Sequence, residues 1–229
     1  MLKFQGLIER RSDMDLDAFS QYWRTTHKQH ALALVKPGIM RGYVQNHRIA
    51  HDIPGLAIAT DGVPELWIET MEDAQRLGQC PEYLEGAYLD EPNFMEGRSR
   101  LVTSPLPVAS GSRGRKEAVG LVKFMLFVNK AHGLSDDGFG RWRDLKHPLL
   151  MPEALPLRLE RETALLQVPD ELPNAFAGVE SSWWPDLAAF DAAWAGRVDS
   201  VARDYADIDS LSGLLVREEP VLWPDPRYL

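Results

Sequence analysis

The chain has 229 residues, of which 45% are hydrophobic and 26% charged, an ordinary composition for a globular protein of one or two domains. Its formal net charge of −9 argues against binding to nucleic acid or to an anionic membrane, since both require a basic face. The single cysteine, Cys80, excludes an internal disulfide and suits a reducing compartment. No apolar run reaches the ~18–20 residues of a membrane span. These features predict a soluble, cytoplasmic protein.

The first hundred residues predict strands and helices in the order β-α-β-β-α-β. Residues 2–8 alternate as a strand does, and Asp13 or Asp15 can cap a helix that ends before Lys36-Pro37-Gly38. The remaining elements are strands at 41–47, 63–68 and 98–104, a short helix at 71–79 and a helical stretch at 81–93. This order is typical of a ferredoxin-like unit.

The second half predicts a similar series of elements after a linker. The stretch that ends at Lys116 is rich in Pro, Ser and Gly, which predicts a linker at 106–116 between domains 1–105 and 117–229. The later elements are strands at 119–128, 158–168, 178–184 and 211–222, and helices at 135–148, 186–194 and 199–205.

Two spacings recur in matching order in the two halves. A phenylalanine precedes a histidine by eight residues in both first helices, and a Gly-Val pair precedes a tryptophan at equal spacing in both third strands. The paired segments are Phe19–His27 with Phe139–His147, and 62–67 with 178–183. The repetition predicts an internal duplication with a period of about 115–120 residues. The expected fold is therefore α+β: two tandem ferredoxin-like units packed as an intramolecular dimeric α/β barrel.

The first helix combines an apolar face with two imidazoles. At helical spacing, Leu16, Phe19, Trp23, His27 and His30 share one stripe. Such a stripe is either a core that contains a hydrogen-bonded histidine or the wall of a pocket. Both readings remain open on the residues alone.

Several segments together resemble the EthD family of dimeric α/β-barrel proteins. The resemblance covers residues 1–105 and is weaker in the second half. There Trp142 lies one position away from where the spacing of Phe19 and Trp23 would place a tryptophan after Phe139. The matching residues are Phe19-x3-Trp23-x3-His27, Pro37-Gly38, Tyr43, 61–67, Pro81-Glu82-Tyr83 and the stretch from Asp90 through Asn93-Phe94 to Arg100. The resemblance implies a cavity between the first helix and the sheet. Enzymes of this fold include cofactor-free lactone isomerases, polyketide cyclases and aromatic-ring oxygenases.

With this resemblance, His27 becomes the preferred general acid or base, because an imidazole exchanges a proton near neutral pH. Tyr43, on the inner face of the second strand, could donate a hydrogen bond to an oxyanion. His51 or Asp61 could assist His27. The second-half histidine, His147, is expected to pack, which leaves one working site in the first half.

Eight further residues are candidates for the walls of the site, as flat aromatic surfaces or polar contacts for a small aromatic ligand. Each could equally be plain core. They are Tyr22, Trp23, His30, His47, Glu65, Trp67, Tyr83 and Phe94. No metal-binding motif, phosphate loop or nucleotide fingerprint accompanies them, so no metal and no cofactor is expected.

The preferred hypothesis is a cofactor-independent lyase, isomerase or cyclase that acts on a small aromatic or lactone-type metabolite through His-mediated acid–base catalysis. The alternative is a non-catalytic small-molecule-binding or accessory protein of an oxygenase that degrades aromatic compounds or ethers. A haem or metal oxygenase is a third possibility. The fused halves could also form a further homodimer.

Overall fold

A computed structural model describes residues 1–104, 106–166 and 173–229. The strands are β1 Leu2–Arg10, β2 Met40–Arg48, β3 Ala57–Ile58, β4 Gly62–Ile68, β5 Met95–Thr103, β6 Val108–Gly111, β7 Val122–Val128, β8 Arg158–Thr163, β9 Gly178–Trp184 and β10 Ser212–Leu222. The α-helices are α1 Leu16–Tyr22, α2 Lys28–Ala33, α3 Met71–Leu77, α4 Tyr88–Asp90, α5 Asp136–Gly140, α6 Leu187–Trp194 and α7 Asp199–Ala202. None of the described helices is long and apolar enough to cross a membrane.

Both halves arrange their four main strands in the same order. The sheet runs β5-β1-β4-β2 in the first half and β10-β7-β9-β8 in the second, which is the fourth-first-third-second order of a ferredoxin-like unit. All these neighbours pair antiparallel. β2 joins the halves by pairing with β10, from Arg48 opposite Val216 to Tyr43 opposite Leu222. The expected α+β barrel architecture is confirmed.

The two halves meet along two seams, meaning strand pairings between one half and the other: the first is β2 with β10. The segment expected to be a linker forms the second seam. β6 pairs antiparallel with β8, from Val108 opposite Arg161 to Gly111 opposite Arg158, and Thr103 bridges Ala164 just before it. The chain from β5 through β6 therefore leaves its own half and pairs with the other, as β10 does at the first seam. The prediction missed this strand because its side chains are exposed and mostly small. The sequence therefore lacks the alternation of apolar and polar residues that indicates a strand.

Other predicted boundaries also differ, including the starts of β5 at Met95 and β7 at Val122. The expected helix at 135–148 is reduced to α5 and a 3₁₀ turn at Arg141–Asp144, and the expected helix at 199–205 ends at Ala202. The predicted strand at 158–168 ends at Thr163, and its last two residues lie outside the described part of the chain.

The barrel interior contains a buried ion network centred on Glu65. Its carboxylate lies 2.7 Å from Lys123 Nζ, 2.6 Å from an Arg115 nitrogen and 3.4 Å from Lys3 Nζ. Arg115 also pairs with Glu218. Burial alone would raise the pKa of Glu65, but the three cations hold it well below its ordinary value. Glu65 is therefore charged, and it connects the two halves through Arg115 and Lys123.

Glu162 repeats this connection from the second half to the first. Its carboxylate accepts hydrogen bonds from Lys3 at 2.7 Å, Gln5 at 3.0 Å and Thr103 at 2.6 Å. Trp67 lies in the same interior, with Lys3 Nζ 5.2 Å from its ring centroid. The interior is thus held by charge-assisted hydrogen bonds across both seams as well as by apolar packing.

A tryptophan of the first helix contacts a glycine of the third strand in both halves. A Cβ placed on Gly62 would lie 2.6 Å from Trp23 Cζ3, and one on Gly178 would lie 2.6 Å from Trp142 Cζ3. Trp142 thus occupies the place of Trp23 despite the offset of one residue in the sequence. The first helix contains a π turn at Trp23–His27, whereas the second has a tighter 3₁₀ turn, and this difference absorbs the offset.

We expect Gly62→Ala to destabilise the fold by about 1–3 kcal/mol, because the new methyl group would overlap the buried Trp23 ring. Gly140→Ala is the matched control: it ends α5 and has no atom within 4 Å of an added Cβ. Urea unfolding of both variants measures the difference. Equal stability of the two variants would contradict the proposed contact.

Glu65→Gln should lower the free energy of unfolding by about 3–5 kcal/mol, because it leaves three buried cations short of one countercharge. Glu69→Gln serves as the control, since Glu69 is half exposed and its pair with Arg41 should contribute at most about 1 kcal/mol. The same unfolding assay applies. A loss at Glu65 no larger than that at Glu69 would contradict the role assigned to the network.

Candidate functional site

A cavity of about 350 Å³ lies between the helices and the outer face of the sheet in the first half. That volume suits a small ring compound. Most of its lining is apolar, including Phe4, Ile8, Leu34, Leu66 and Leu77, while Glu91, Arg98 and Arg100 supply the carboxylate and the two guanidinium groups of its lining. His27, Tyr43, Trp23, Tyr83 and Phe94 also line it.

The π turn at Trp23–His27 aims His27 at this cavity. In a straight α-helix, a four-residue spacing drifts by about 40° around the axis at each step. The extra residue of the π turn cancels much of this drift, so that Phe19, Trp23, His27 and Ala31 are all buried on one face. His30, placed on this face by the 3.6-residue period, is instead half-buried beside it and does not line the cavity.

His27 is held by a buried carboxylate. Its Nδ1 lies 2.9 Å from Asp90 Oδ2, and Asp90 Oδ1 accepts hydrogen bonds from Tyr22 Oη at 2.6 Å and from Asn93 Nδ2 at 3.1 Å. The Phe94 ring packs with its centroid 4.5 Å from that of the imidazole. Burial alone would raise the pKa of Asp90, but its three hydrogen bonds hold it below the ordinary value. Asp90 therefore stays ionised and orients the ring.

This pairing determines which nitrogen of His27 can react. Burial lowers the pKa of His27, and the bond to Asp90 opposes that shift only in part. The ring is therefore neutral near pH 7. Because the carboxylate can only accept, Nδ1 carries the proton and Nε2 carries the lone pair. Within the described residues Nε2 has no hydrogen-bond partner, so the basic nitrogen is available to a ligand in the cavity.

Tyr43 lines the same cavity, and two donors hold its hydroxyl oxygen. Its oxygen accepts hydrogen bonds from Trp23 Nε1 at 2.9 Å and from Gln45 Nε2 at 2.8 Å. Burial raises its pKa, so the phenol stays protonated. No side chain or carbonyl of the described residues accepts its proton. The hydroxyl proton is therefore not engaged by the described residues.

A short hydrogen-bond chain orients Tyr43 from behind. Gln45 Oε1 accepts from His47 Nε2 at 3.1 Å, and His47 Nδ1 accepts from Ser20 Oγ at 2.8 Å. The Gln45 amide also donates to the Trp23 carbonyl at 3.1 Å, which fixes its orientation. Burial lowers the pKa of His47 to about 4, so His47 is neutral at physiological pH. His47 therefore positions Tyr43 and does not line the cavity.

Two of the four candidate catalytic residues lie elsewhere. His51 Nε2 is 2.8 Å from Asp191 of the second half, and Asp61 accepts from Arg48 at 2.6 Å and from the Arg10 backbone at 3.2 Å. Neither residue lines the cavity, so the expectation that His51 or Asp61 assists His27 is wrong. The carboxylate that contacts His27 is that of Asp90. Proximity in sequence to the second and third strands did not reveal which carboxylate would meet the imidazole.

The candidate wall residues divide into three groups. Trp23, Tyr83 and Phe94 line the cavity, whereas Tyr22, His30 and His47 stand behind it. The expectation that Glu65 and Trp67 bind substrate is wrong for this cavity, because both face the barrel interior, on the other side of the sheet. Alternation had correctly grouped these two side chains on one face, but Pro64 and Leu66 of the opposite face line the cavity.

The polar residues missed by sequence reasoning include Asp90, Gln45, Glu91, Arg98 and Arg100. Asp90 and Asn93 have a recognisable three-residue helical spacing just before Phe94, and this spacing was the available signal for the carboxylate. Within the described residues no group of three or more His, Cys, Asp or Glu side chains has the arrangement of a metal site.

In the second half, large apolar side chains fill the corresponding space. Phe139, Trp142, Leu149, Phe190 and Trp194 form one buried cluster there. His147 is half-buried, and its Nδ1 lies 3.1 Å from the Pro148 carbonyl oxygen. Its surroundings contain no counterpart of the His27–Asp90 pair among the described residues.

Comparison with known proteins supports the fold, and a family model matches within the first half of the chain. Residues 11–98 match the family model of the EthD domain. No curated protein matches the chain. Among solved structures, an anthrone oxidase-like protein superposes with a TM-score of 0.60 at 9% identity, over 96% of this chain and 92% of that one.

Two further solved structures align with the chain at lower similarity. A proposed monooxygenase from Lactobacillus acidophilus NCFM has a TM-score of 0.49 at 9% identity, with 95% of this chain and 92% of that chain covered. A mutant chlorite dismutase from Candidatus Nitrospira defluvii has a TM-score of 0.49 at 11% identity, with 96% and 91% covered.

The depressed pKa of His47 predicts acid sensitivity. The unfolded chain binds a proton at this histidine near pH 6.5, whereas the folded chain does so only near pH 4, so stability falls as the pH drops through this window. His47 should account for a loss of about 2 kcal/mol between about pH 7.5 and pH 5.

Urea unfolding at both pH values tests this contribution. His47→Gln should lose less stability on acidification than the wild-type protein. His132→Gln, at an exposed histidine, should keep the wild-type dependence. An unchanged pH dependence in His47→Gln would refute the assignment.

Proposed function

We propose that this protein is a cofactor-independent lyase, isomerase or cyclase that moves a proton on a small aromatic or lactone-type metabolite bound in the first-half cavity. The support comes from one arrangement: a neutral imidazole, held by the buried Asp90 carboxylate, has its Nε2 available inside a mostly apolar cavity. Such a base works best where water is excluded and its tautomer is fixed.

In the proposed reaction, His27 Nε2 removes a proton from a carbon next to a ligand carbonyl. The C–H bond breaks, its electron pair enters the new C=C bond, and the carbonyl oxygen becomes an enolate. The Tyr43 hydroxyl donates a hydrogen bond to that oxygen. The imidazolium formed on His27 is stabilised by Asp90 and then returns its proton, to another carbon in an isomerisation or to a leaving group in an elimination.

A second function, in a different class, is a non-catalytic binding or accessory protein for an oxygenase. The predominantly apolar lining favours this reading, because apolar walls bind a flat ligand without any proton transfer. The match of residues 11–98 to the EthD domain is compatible with both functions. They differ in whether the ligand is consumed and in whether His27 is replaceable.

The first test is a thermal-shift screen against phenols, quinones, aryl ethers and muconolactones, followed by a turnover assay on each compound that binds. For a consumed ligand, His27→Ala should lower kcat/KM at least about a hundredfold, the low end for a general acid–base group. His30→Ala is the matched control, because His30 lies next to His27 in space but off the cavity.

The pH dependence provides an independent check. Since only neutral His27 acts as base, wild-type kcat/KM should rise with pH through an apparent pKa below 6.5 and then level off. Full activity in His27→Ala would exclude the acid–base mechanism. A ligand that binds tightly but is never consumed would establish the binding function instead.

A further inference from the structure

We propose that the cavity is selective for organic anions, and that Arg100 binds the carboxylate of an aromatic or unsaturated cyclic acid. The proposal names the substrate class of the site described above. It rests on the proposed function only for the reacting end of the ligand, because recognition of the anion requires no catalysis.

The two arginines stand on one wall of the cavity. Arg98 and Arg100 are two residues apart on β5, so their side chains project from the same face of the strand. This is the face that Gly6 and Ile8 of the neighbouring β1 present, and all four residues line the cavity. The wall therefore places two guanidinium groups beside an otherwise mostly apolar space.

Arg98 has partners within the protein. Its NH1 lies 2.5 Å from Glu91 Oε1 and its NH2 lies 2.9 Å from Tyr83 Oη. Tyr83 Oη in turn donates to Glu91 at 3.1 Å. This closed triangle neutralises Arg98 and leaves little of its hydrogen-bonding capacity for a ligand.

Arg100 differs from Arg98 in its surroundings. It is half-buried, and within residues 1–104, 106–166 and 173–229 its side chain makes no hydrogen bond or ion pair. Burial and the nearby charge of Arg98 lower the pKa of Arg100. A ligand carboxylate would compensate the charge of Arg100 with a bidentate, charge-assisted contact.

The charged side chains that line the cavity also favour binding of an anion. The whole chain carries −9, yet the charged residues that line the cavity are two arginines and one glutamate. With His27 neutral, the lining alone has a net charge of +1, while the ionised Asp90 lies directly behind His27 and outside that lining. Glu91 is engaged by Arg98 and Asp90 by His27, so the charge of the lining left for a ligand anion to compensate is that of Arg100. The apolar walls, with the Trp23 and Phe94 rings, require that the rest of the anion be a carbon framework.

The test uses two probes of nearly equal shape, 2-naphthoate and its neutral analogue 2-naphthamide, titrated by calorimetry against the full chain. Wild-type protein should bind the carboxylate at least about tenfold more tightly than the amide. Arg100→Gln should abolish this preference and leave naphthamide binding unchanged. Arg100→Lys, which retains the charge but not the planar fork, should restore part of it.

Arg141→Gln is the control for charge, because it removes an equal charge from an exposed position outside the cavity, and it should keep the wild-type preference. Equal binding of the two probes by wild-type protein, failure of naphthoate to bind at millimolar concentration, or an equal loss for both probes in Arg100→Gln would overturn the proposal.

His27→Ala separates this proposal from the proposed catalytic function. The variant should still prefer naphthoate over naphthamide, because Arg100 and its surroundings are unchanged. If the preference persists while no turnover is ever found, the acid–base mechanism fails and anion selection stands. If turnover depends on His27 but Arg100→Gln leaves the preference intact, anion selection by Arg100 fails instead.

Discussion

The Glu65 carboxylate, surrounded by Lys3, Lys123 and Arg115 in the middle of the barrel, is the interaction on which the rest of the structure depends. It joins charges from both halves of the chain, and isolated buried charges would be unfavourable if either half were displaced. Glu162 makes the same kind of connection in the opposite direction. Because the interior is occupied by these groups, space for a ligand is left on the outer face of the sheet, beneath the helices.

That outer face has diverged between the halves. In the first half, the π turn at Trp23–His27 brings a histidine over the sheet, and the segment after α3 returns Asp90 to meet it. In the second half, a 3₁₀ turn follows α5, and Trp142 and Leu149 fill the space. Both tryptophans pack on equivalent glycines, so this contact of the scaffold is the same in the two halves, whereas the His27–Asp90 pair of the first half has no counterpart around His147 among the described residues.

The candidate site combines three different kinds of control over protons. Asp90 holds His27 in one tautomer, burial keeps Tyr43 protonated, and the Ser20–His47–Gln45 chain orients the group that donates to the Tyr43 oxygen. None of these depends on a flexible surface group. A site of this kind is preorganised, since its donors and acceptors are oriented before a ligand arrives.

The sequence by itself determined the strand order and most helix starts, and it placed His27 and Tyr43 on faces that line the cavity, because alternation, capping residues and family spacing are local properties. Only the tertiary structure decided that Asp90 is the partner of His27, that Glu65 and Trp67 face away from the cavity, and that the expected linker closes the barrel. The physical reason is that alternation groups side chains by face without saying what covers each face. Contacts between residues distant in sequence, and the extra residue of a π turn, arise only when the sheets and helices pack.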